Sequence, residues 1–527
     1  MSPSSEKLRG LDRTGLLPRV VFLGCFAYFL WAAGVGWNNT LLDDHGFRQT
    51  QTAISTYYQV GQSPRLAYET PVLGPPWSIP FEFPLYQWLV AALVTALHTP
   101  LEPTGRFVSV AFFLLCLVPT DVVLGRLRLS REGRLLTLCL LLVSPFYLFW
   151  SRTFMIESVA LFFGLCYLAF AMPVGEGRGA WWLIPAALTG GLAAVVKITT
   201  FVPFVGAVLL FWLAALARGA RPNGRRWVVL AATVLIPLAL GVAWTRYADG
   251  VRDLNPLARL QMPTDLRTWI FGTLAQRLAA ESWAVLWERF GLILGHLLIG
   301  LVGLTALGLA RRRWTEAGAC LLVALSAPLV FTNLHVVHEY YAYANGVFVL
   351  AALGMALAAL VERGGTYRRC AYSLLAAVIA VAVLRYQQWY YPKQAANHLH
   401  LAAVSEVVRE LTEPDDVIVV LGCDWSPELP FACRRRALMV PNWPRASVSN
   451  LPRYLQELGG YRLGALVYCD RPECPFDQAT LHRLIGELGF RLHASCWTDH
   501  LYQVYRRNSS TAATVQPRLQ PAGPSGS

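Results

Sequence analysis

The chain has 527 residues, of which 55% are hydrophobic and only 15% are charged, and its formal net charge is +13. A soluble globular protein carries roughly 25% charged residues, so a soluble chain of this length would lack the polar residues that cover a surface. The composition therefore excludes a soluble enzyme, a disordered protein or a nucleic-acid-binding module as the main body, and it favours a protein embedded in lipid.

Eleven apolar runs follow one another along the chain, each close to the roughly 20 residues that a membrane-spanning helix needs. The first, Leu17 to Trp37, has no small-residue cleavage site after it, which predicts an uncleaved span rather than a signal peptide. The other ten lie near 107–125, 135–151, 158–173, 181–197, 201–217, 227–246, 290–310, 315–332, 343–361 and 370–385. The sequence thus predicts a polytopic α-helical membrane protein with about eleven transmembrane helices.

Arginines fall between alternate pairs of these runs. The clusters are Arg126, Arg128, Arg131 and Arg134; Arg178; Arg218, Arg221, Arg225 and Arg226; Arg311, Arg312 and Arg313; and Arg363, Arg368 and Arg369. Because cytoplasmic loops are enriched in Lys and Arg, we predict that these loops and residues 1–16 are cytoplasmic. The part of the chain after residue 386 is then extracytoplasmic.

The segment Phe83–His98 is apolar but short for a span, and it is bracketed by Pro84 and Pro100. Counting it as a span would place the arginine-rich 126–134 loop outside. We therefore predict a helix that lies along the outer interface of the membrane.

The predicted outer face has four pieces: loops 38–106 and 247–289, a short turn around Arg152–Glu157, and a terminal domain over 387–507. The terminal domain alternates short β-like runs with helical stretches, which predicts a small α/β unit. The β-like runs are Val417–Leu421, Ala465–Tyr468 and Leu501–Tyr505, and the helical stretches are Leu399–Leu411 and Ala479–Leu488. Residues 508–527 are rich in Ser, Pro, Gly and Ala and predict a disordered tail.

Five cysteines fall in this terminal domain, and an exported domain can keep disulfides. The local pairings are Cys423–Cys433 and Cys469–Cys474, although the spacing does not fix the connectivity. Neither spacing suits a zinc site.

Ionisable groups near a membrane are costly and are functional hypotheses for that reason. The first loop opens with the adjacent carboxylates Asp43 and Asp44, followed by Arg48 and Gln49. The structural alternative is a capped interfacial helix, in which one aspartate accepts backbone N–H groups and Arg48 forms an i,i+4 ion pair.

Four more charged residues lie at predicted outer ends of spans. Glu82 precedes an apolar helix, where an acid is also favourable for structural reasons alone. Arg152 and Glu157 flank one outer turn and could pair with each other. Lys197 is the only lysine of the spanning region; it could extend to the interface, but its compact ammonium also suits a phosphate.

A His/Glu/Tyr group lies at the predicted outer end of the ninth span. Its members are His335, His338, Glu339, Tyr340 and Tyr341. The two histidines are three residues apart, which on a helix is one face, and a zinc pair there would lack an evident third ligand. An interfacial aromatic belt would account for the tyrosines alone. Together, these carboxylates and cations could bind an anionic lipid headgroup and remove a proton from an acceptor.

At these residues the chain resembles the GT-C superfamily of polyprenyl-phosphate-sugar glycosyltransferases. The likeness is to bacterial membrane proteins of glycosyltransferase family 39, which includes protein O-mannosyltransferases and the lipid A aminoarabinose transferase. The likeness covers roughly residues 17–386. It rests on the order of several motifs along the chain and on their location on the same predicted face of the membrane. The motifs are Asp43-Asp44, Glu82-Phe83-Pro84-Leu85-Tyr86, Ser151–Glu157, Lys197 and His338-Glu339-Tyr340-Tyr341.

The chain departs from these relatives in three places. Many of them carry Asp-Glu where this chain has Asp43-Asp44-His45, and the Lys-Pro-Pro of the aminoarabinose transferase is replaced by Glu82-Phe83-Pro84. The acceptor of that enzyme is therefore not carried over. Glu157 stands alone where oligosaccharyltransferases have Asp-x-Asp, which argues against metal dependence.

The resemblance implies a bacterial inner-membrane enzyme that acts on the extracytoplasmic face. No cofactor is indicated, and dependence on a divalent metal stays open. The enzyme would transfer a sugar, with inversion, from a polyprenyl phosphate such as undecaprenyl phosphate to a glycan, lipid or protein acceptor. The implied general base is Asp44 or Asp43, and Asp44 is favoured because Arg48 follows one turn later. The implied substrate-binding residues are Arg152, Lys197 and the group from His335 to Tyr341 for phosphate and sugar, and Glu82 and Glu157 for the acceptor or sugar pocket. Arg48 and Gln49 are further implied substrate-binding residues.

Two other functions are open. A transporter or flippase of a lipid-linked sugar predicts inverted repeats, broken helices and charges near the midplane, and the sequence has no evident repeat. A non-catalytic scaffold that displays the terminal domain predicts no convergent carboxylates in the 38–106 loop.

Overall fold

The computed structural model describes residues 15–219, 222–261, 267–441, 454–470, 478–498 and 500–507. The predicted tail 508–527 and nearly all of the predicted N-terminal segment 1–16 lie outside these residues. The chain divides into two compact units. The first comprises Met1–Asp43, Phe81–Tyr247 and Pro263–Asn397, and the second comprises Asp44–Pro80, Ala248–Met262 and His398–Ser527.

Helices dominate the described chain. In chain order they are α1 (Leu16–Gly34), α2 (Gly46–Tyr57), α3 (Leu85–Leu97), α4 (Leu101–Arg126), α5 (Arg131–Val143), α6 (Pro145–Trp150), α7 (Glu157–Glu176), α8 (Leu183–Ala217), α9 (Gly224–Arg252), α10 (Arg267–Phe271), α11 (Leu274–Leu278), α12 (Ala280–Leu294), α13 (His296–Ala310), α14 (Trp314–Val330), α15 (Thr332–Val337), α16 (Ala342–Arg363), α17 (Gly365–Arg385), α18 (Tyr391–Ala395), α19 (Ala402–Leu411), α20 (Glu428–Cys433) and α21 (Gln478–Glu487). Short 3-10 helices cover Ala180–Trp182, Ala258–Gln261 and Glu339–Tyr341, and a π-helix covers Tyr386–Tyr390.

Seven helical segments of the described residues are long and apolar enough to cross a membrane. They are Leu16–Gly34, Leu101–Arg126, Glu157–Glu176, Ala180–Ala217, Gly224–Arg252, Glu339–Arg363 and Gly365–Ala395. The predicted polytopic α-helical fold is confirmed. The number differs from eleven because Ala180–Ala217 contains two predicted runs, and three others form shorter helices. Of these, 135–151 is interrupted at Ser144, 290–310 is interrupted at Gly295, and α14 has 17 residues.

Helix α3 covers most of the ambiguous segment 83–98. Its 13 residues correspond to about 20 Å of helix, which is shorter than the hydrocarbon core of about 30 Å. The length favours the predicted interfacial position.

Helix α16 is the most enclosed of the long spans, since 94% of the apolar window in Glu339–Arg363 is buried. Small residues allow its backbone to approach α5 closely. A Cβ atom at Gly354 would lie 2.2 Å from Thr137 Oγ1, and one at Gly133 would lie 2.5 Å from Ala358 Cβ. The core of the first unit therefore depends on close helix contacts as well as on apolar area.

A five-stranded sheet forms the centre of the second unit. Its strands are β1 (Val417–Leu421), β2 (Arg436–Met439), β3 (Leu463–Asp470), β4 (Phe490–Trp497) and β5 (Leu501–Arg507), in the order β2-β1-β3-β5-β4. Strands β2, β1 and β3 are parallel, and β5 pairs antiparallel with both β3 and β4. The predicted α/β character of the C-terminal region is confirmed; β2 and β4 were not predicted.

The first loop extends this sheet within the second unit. The N–H groups of Ala437 and Met439 donate to the carbonyls of Pro71 and Val72 at 2.9 and 2.8 Å, and the Gly74 N–H donates back to Ala437 at 3.1 Å. The free edge of β2 is thereby covered, which removes a site for unwanted strand pairing.

The Cys423–Cys433 pairing is wrong, because Cys433 is a buried free thiol, and burial raises its pKa to about 12. Cys474 lies outside the described residues, so the other pairing has no structural counterpart.

Candidate active site

The predicted acidic motif is divided between the two units. Asp43 ends the first unit and is paired with Arg152, whose Nη1 donates to Asp43 Oδ2 at 2.9 Å. The Arg152 side chain is fully buried and also donates from Nη2 to the Gly36 carbonyl at 3.0 Å. Breaking a buried pair by removing one partner typically costs about 3–5 kcal/mol. Arg152 therefore fixes the end of the loop that follows α1.

Arg106, which the sequence reading missed, holds the same loop from α4. This buried guanidinium donates to the carbonyls of Trp37 and Asn39 at 2.7 Å each and to that of Thr40 at 2.9 Å. A detectable signal was present, because Arg106 lies at a predicted outer helix end, against the trend of the other arginines.

Two more contacts fix the start of this loop. Gly36 has a φ of 60°, and a Cβ atom there would lie 1.9 Å from the Gln394 carbonyl oxygen. Asn39 Nδ2 donates to the same carbonyl at 2.8 Å. Residues 36–43 are thus held from three sides of the first unit.

Lys197 lies at a break in α8, where its φ of −160° and ψ of 94° interrupt the helical backbone. Its Nζ donates to both carboxylate oxygens of Glu157 at 2.6 and 2.7 Å, and both side chains are buried. The structure therefore excludes a lysine that extends to the interface. Arg152 and Glu157 do not pair with each other. Arg152 pairs with Asp43, and Glu157 pairs with Lys197.

Aromatic rings surround the Lys197 ammonium. Its Nζ lies 4.2 Å from the ring centroid of Tyr341 and 5.1 Å from that of Tyr340. Tyr340 in turn contacts Trp150, at 5.8 Å between centroids, directly before the turn that carries Arg152. Cation–π contacts of this kind contribute about 0.5–2 kcal/mol each. The tyrosines thus belong to the Lys197 site and do more than form an interfacial belt.

The two histidines do not share a helix face, which corrects the sequence reading. Helix α15 ends at Val337, and His338 has extended backbone angles. The His338 ring stacks on Tyr340 with centroids 5.3 Å apart, whereas His335 contacts Tyr341 at 5.8 Å. Burial, and secondarily the Lys197 ammonium, lowers the pKa of His335 to about 3, so this ring is neutral at physiological pH.

Glu339 pairs with Arg289, another residue that the sequence reading missed. Arg289 Nη1 donates to Glu339 Oε2 at 3.0 Å and connects α12 to the 3-10 turn of the two tyrosines. The glutamate therefore helps to position this turn.

Glu82 is partly exposed, and the residues on both sides of it are held by hydrogen bonds of their backbone groups. The Phe81 carbonyl accepts from Trp244 Nε1 at 3.3 Å, and the Phe83 N–H donates to the Val195 carbonyl at 3.2 Å. Val195 lies two residues before the break at Lys197. The Glu82 backbone is therefore fixed to the broken part of α8.

In the second unit, Asp44 precedes α2. Gln49 is fully buried and donates from Nε2 to the Asp44 carbonyl at 2.8 Å, and Arg48 Nη1 donates to Gln51 Oε1 at 2.6 Å. The Asp44 carboxylate lies 4.0 Å from His45 Nε2, and its side chain is 18% exposed, compared with 2% for Asp43. The N-cap of α2 is His45, without a side-chain capping bond, so neither aspartate is its N-cap.

The comparisons with known proteins concern the fold. No protein-family model matches the chain, and a search of curated proteins gives no significant match. Among solved structures, ArnT from Cupriavidus metallidurans in the apo state has a TM-score of 0.57 at 14% identity, covering 92% of this chain and 98% of ArnT. ArnT bound to undecaprenyl phosphate has the same TM-score at 15% identity, covering 91% of this chain and 98% of ArnT.

The arabinofuranosyltransferase AftD from Mycobacteria has a TM-score of 0.50 at 14% identity, covering 91% of this chain but only 40% of AftD. The chain shares its fold with ArnT. The resemblance predicted from the order of the charged motifs is thereby confirmed for the fold, which extends over the C-terminal region as well as the helical part.

Proposed function

We propose that the protein is a membrane glycosyltransferase that moves a sugar from a polyprenyl phosphate to an acceptor, with inversion, on the extracytoplasmic face of a bacterial inner membrane. The observation that carries the proposal is the fixed acidic loop of the GT-C fold. Asp43 is buried and paired with Arg152, and the carboxylate that follows it is the more accessible of the two.

Asp44 is the proposed general base. It removes the proton from the acceptor hydroxyl as that oxygen attacks the anomeric carbon, and the bond from that carbon to the phosphate oxygen breaks. The polyprenyl phosphate leaves with the electron pair, so no covalent enzyme intermediate is required. Gln49 holds the Asp44 backbone through its carbonyl, and Arg48 bonds to Gln51 within α2; both are proposed to contact the substrate beside the base.

Arg152 and Lys197 are the proposed phosphate-binding cations. Arg152 Nε is buried and has no hydrogen-bond partner among the described residues, which suits a donor kept for an anionic oxygen. Glu157 positions Lys197, and Tyr340 and Tyr341 shield its charge from bulk solvent. His335 and His338 complete the aromatic wall for the donor sugar, Glu339 positions the tyrosine turn through Arg289, and Glu82 is proposed to line the acceptor side.

The transporter remains the second candidate because the break at Lys197 is a feature that it predicts. The two functions differ in chemistry, since a transporter leaves the sugar–phosphate bond intact. The scaffold alternative has no role for a buried Lys197–Glu157 pair.

Deletion of the gene tests the proposal. We expect the strain to lose one envelope glycan and to accumulate the corresponding polyprenyl-phosphate sugar, and permeabilising its membranes should not restore transfer. Restoration by permeabilisation would indicate a transporter. Unchanged glycans and unchanged lipid-linked sugars would contradict both functions.

A further inference from the structure

Three arginines and two tryptophans form a cluster where four candidate membrane spans end or begin. Arg126 ends α4, Arg178 follows α7, Trp181 and Trp182 precede α8, and Arg226 lies in the first turn of α9. We refer to these five residues as the Arg–Trp cluster. Its position at the ends of spans places it at the level of the lipid headgroups.

The cluster is built by direct contacts. Arg126 Cζ lies 5.6 Å from the Trp182 ring centroid, and the Trp181 and Trp182 rings stack with centroids 3.9 Å apart. The guanidinium of Arg226 donates to the Gly175 carbonyl, next to the turn that carries Arg178. The arginines are therefore held together and are not independent surface charges.

The positive charge of the cluster is not neutralised. Glu176 is the only carboxylate that pairs with these arginines in the part of the chain that the structure describes, at 2.6 Å from Arg178 Nε and 3.9 Å from Arg126 Nη1. Two of the three guanidinium groups thus share one carboxylate, and the third, that of Arg226, donates to a backbone carbonyl.

Three other arginines on the predicted cytoplasmic loops have a carboxylate each. Arg313 pairs with Glu362 at 2.8 Å, Arg368 with Glu132 at 2.7 Å, and Arg134 with Asp121 at 2.8 Å. The Arg–Trp cluster differs from these three pairs because its guanidinium groups outnumber the carboxylates that pair with them.

The exposed groups of the cluster match the chemistry of a phospholipid headgroup. The Arg178 side chain is 62% exposed and Trp181 is 59% exposed. One guanidinium group can donate two parallel hydrogen bonds to two oxygens of a phosphate. Indole rings favour the boundary between headgroups and acyl chains. Anionic lipids attract each nearby Arg by about 1 kcal/mol, whereas zwitterionic lipids carry no net charge.

We propose that the Arg–Trp cluster binds the phosphodiester headgroup of an anionic phospholipid, with the stacked indoles against the glycerol and the first acyl carbons. Such a lipid supplies the negative charge that the three guanidinium groups lack and holds the ends of α4, α7, α8 and α9 together. The inference is independent of the proposed function.

Native mass spectrometry of the detergent-solubilised full chain, titrated with phosphatidylglycerol or phosphatidylcholine, tests this. We expect preferential retention of phosphatidylglycerol, reduced about fivefold for each guanidinium removed, and thus about 25-fold in Arg126→Gln/Arg178→Gln. The matched control is Arg311→Gln/Arg312→Gln, which removes two exposed arginines from another loop and should change retention less than twofold.

A second variant guards against misfolding of the first. Arg178→Gln/Trp181→Ala changes only exposed side chains, and we expect it to weaken phosphatidylglycerol retention at least fivefold with an unchanged thermal midpoint. Equal loss in the Arg311→Gln/Arg312→Gln control, equal retention of phosphatidylcholine, or undiminished retention in Arg178→Gln/Trp181→Ala would each overturn the proposal.

Discussion

Lys197 and Glu157 show how a charge can be kept inside a membrane protein. The ammonium meets both oxygens of one carboxylate and two aromatic faces, so its charge is compensated on several sides. The same arrangement makes each partner dependent on the other, because a buried charge without its partner is expensive.

A double-mutant cycle measures this dependence. Lys197→Met should lower the free energy of unfolding by about 3–5 kcal/mol because it leaves Glu157 buried and unpaired. Lys197→Met/Glu157→Gln should recover much of that loss in thermal unfolding followed by tryptophan fluorescence. A double variant no more stable than Lys197→Met would contradict the pairing.

His335 predicts a pH dependence of stability. Its pKa is about 3 in the folded protein and about 6.5 in an unfolded chain, so between these values the unfolded state binds more protons. Stability should therefore fall as the pH falls through 6.5 towards 3, with a slope of up to about 1.4 kcal/mol per pH unit from this residue. The free energy of unfolding by denaturant should differ less between pH 7 and pH 5 in His335→Phe than in the parent protein.

The exposed His98 at the end of α3 provides the control. His98→Gln should keep the pH dependence of the parent protein. An equal pH dependence in His335→Phe and the parent would show that His335 is not held neutral.

At single residues, the sequence identified most charged groups but not their partners. Arg152, Glu157 and Lys197 were all singled out, yet sequence proximity suggested an Arg152–Glu157 pair, whereas the fold joins Asp43 to Arg152 and Glu157 to Lys197. Partners separated by 40 or more positions depend on helix packing, which local spacing does not encode.

At the scale of elements, Asn255 joins the first loop to the segment that follows α9 within the second unit. Its fully buried Nδ2 donates to the carbonyls of Leu73, Gly74 and Pro76 at 2.8–3.2 Å, while its Oδ1 accepts from the N–H groups of residues 257 and 258. One side chain thus joins two separate segments of the chain.

Asn255→Asp should keep the acceptor and lose the donors. The three carbonyls would lose their partner, and stability should fall by at least about 1–3 kcal/mol, with faster proteolysis in the 60–80 region. Asn223→Asp is the matched control, because the side chain of exposed Asn223 accepts the Arg226 N–H at the start of α9 and aspartate caps a helix about as well as asparagine. Equal stability of the two variants would contradict the role of Asn255.

Element types were easier to predict than element breaks. The apolar strands β1, β3 and β5 gave a clear signal, whereas β2 is four residues long and much of β4 is polar or exposed. The breaks at Ser144, Lys197 and Gly295 lie inside apolar runs, where composition does not change. Ser144 directly precedes Pro145, which disfavours a helical conformation at the residue before it, and Gly295 has a φ of 94°. The break at Lys197 lies beside a tertiary hydrogen bond, from the Phe83 N–H to the Val195 carbonyl.

At the scale of the whole molecule, the charge pattern predicts the orientation. A reporter enzyme active only outside the cytoplasm should be active when fused after Arg507, and inactive when fused within the 126–134 loop, because arginine-rich loops stay inside. The opposite pattern would place the second unit in the cytoplasm and contradict the proposed location of the reaction.

The GT-C resemblance could be inferred from the sequence because it rests on the order of a few charged residues along the chain. The apolar residues that make up most of the spans carry almost no such signal. Many apolar sequences satisfy the same helix packing, which is why the fold is shared with ArnT at only 14% identity. The arrangement of the second unit, assembled from three distant segments, had no such signal.

The most direct test of the central claim is the release of free polyprenyl phosphate from the lipid-linked sugar that the deletion strain accumulates. Purified protein should release it only when acceptor-containing envelope extract is added, and Asp44→Asn should slow this release about 10²–10⁴-fold while its thermal midpoint stays unchanged. Release by Asp44→Asn at the rate of the unsubstituted protein, or no release by the unsubstituted protein with donor and acceptor present, would contradict the account.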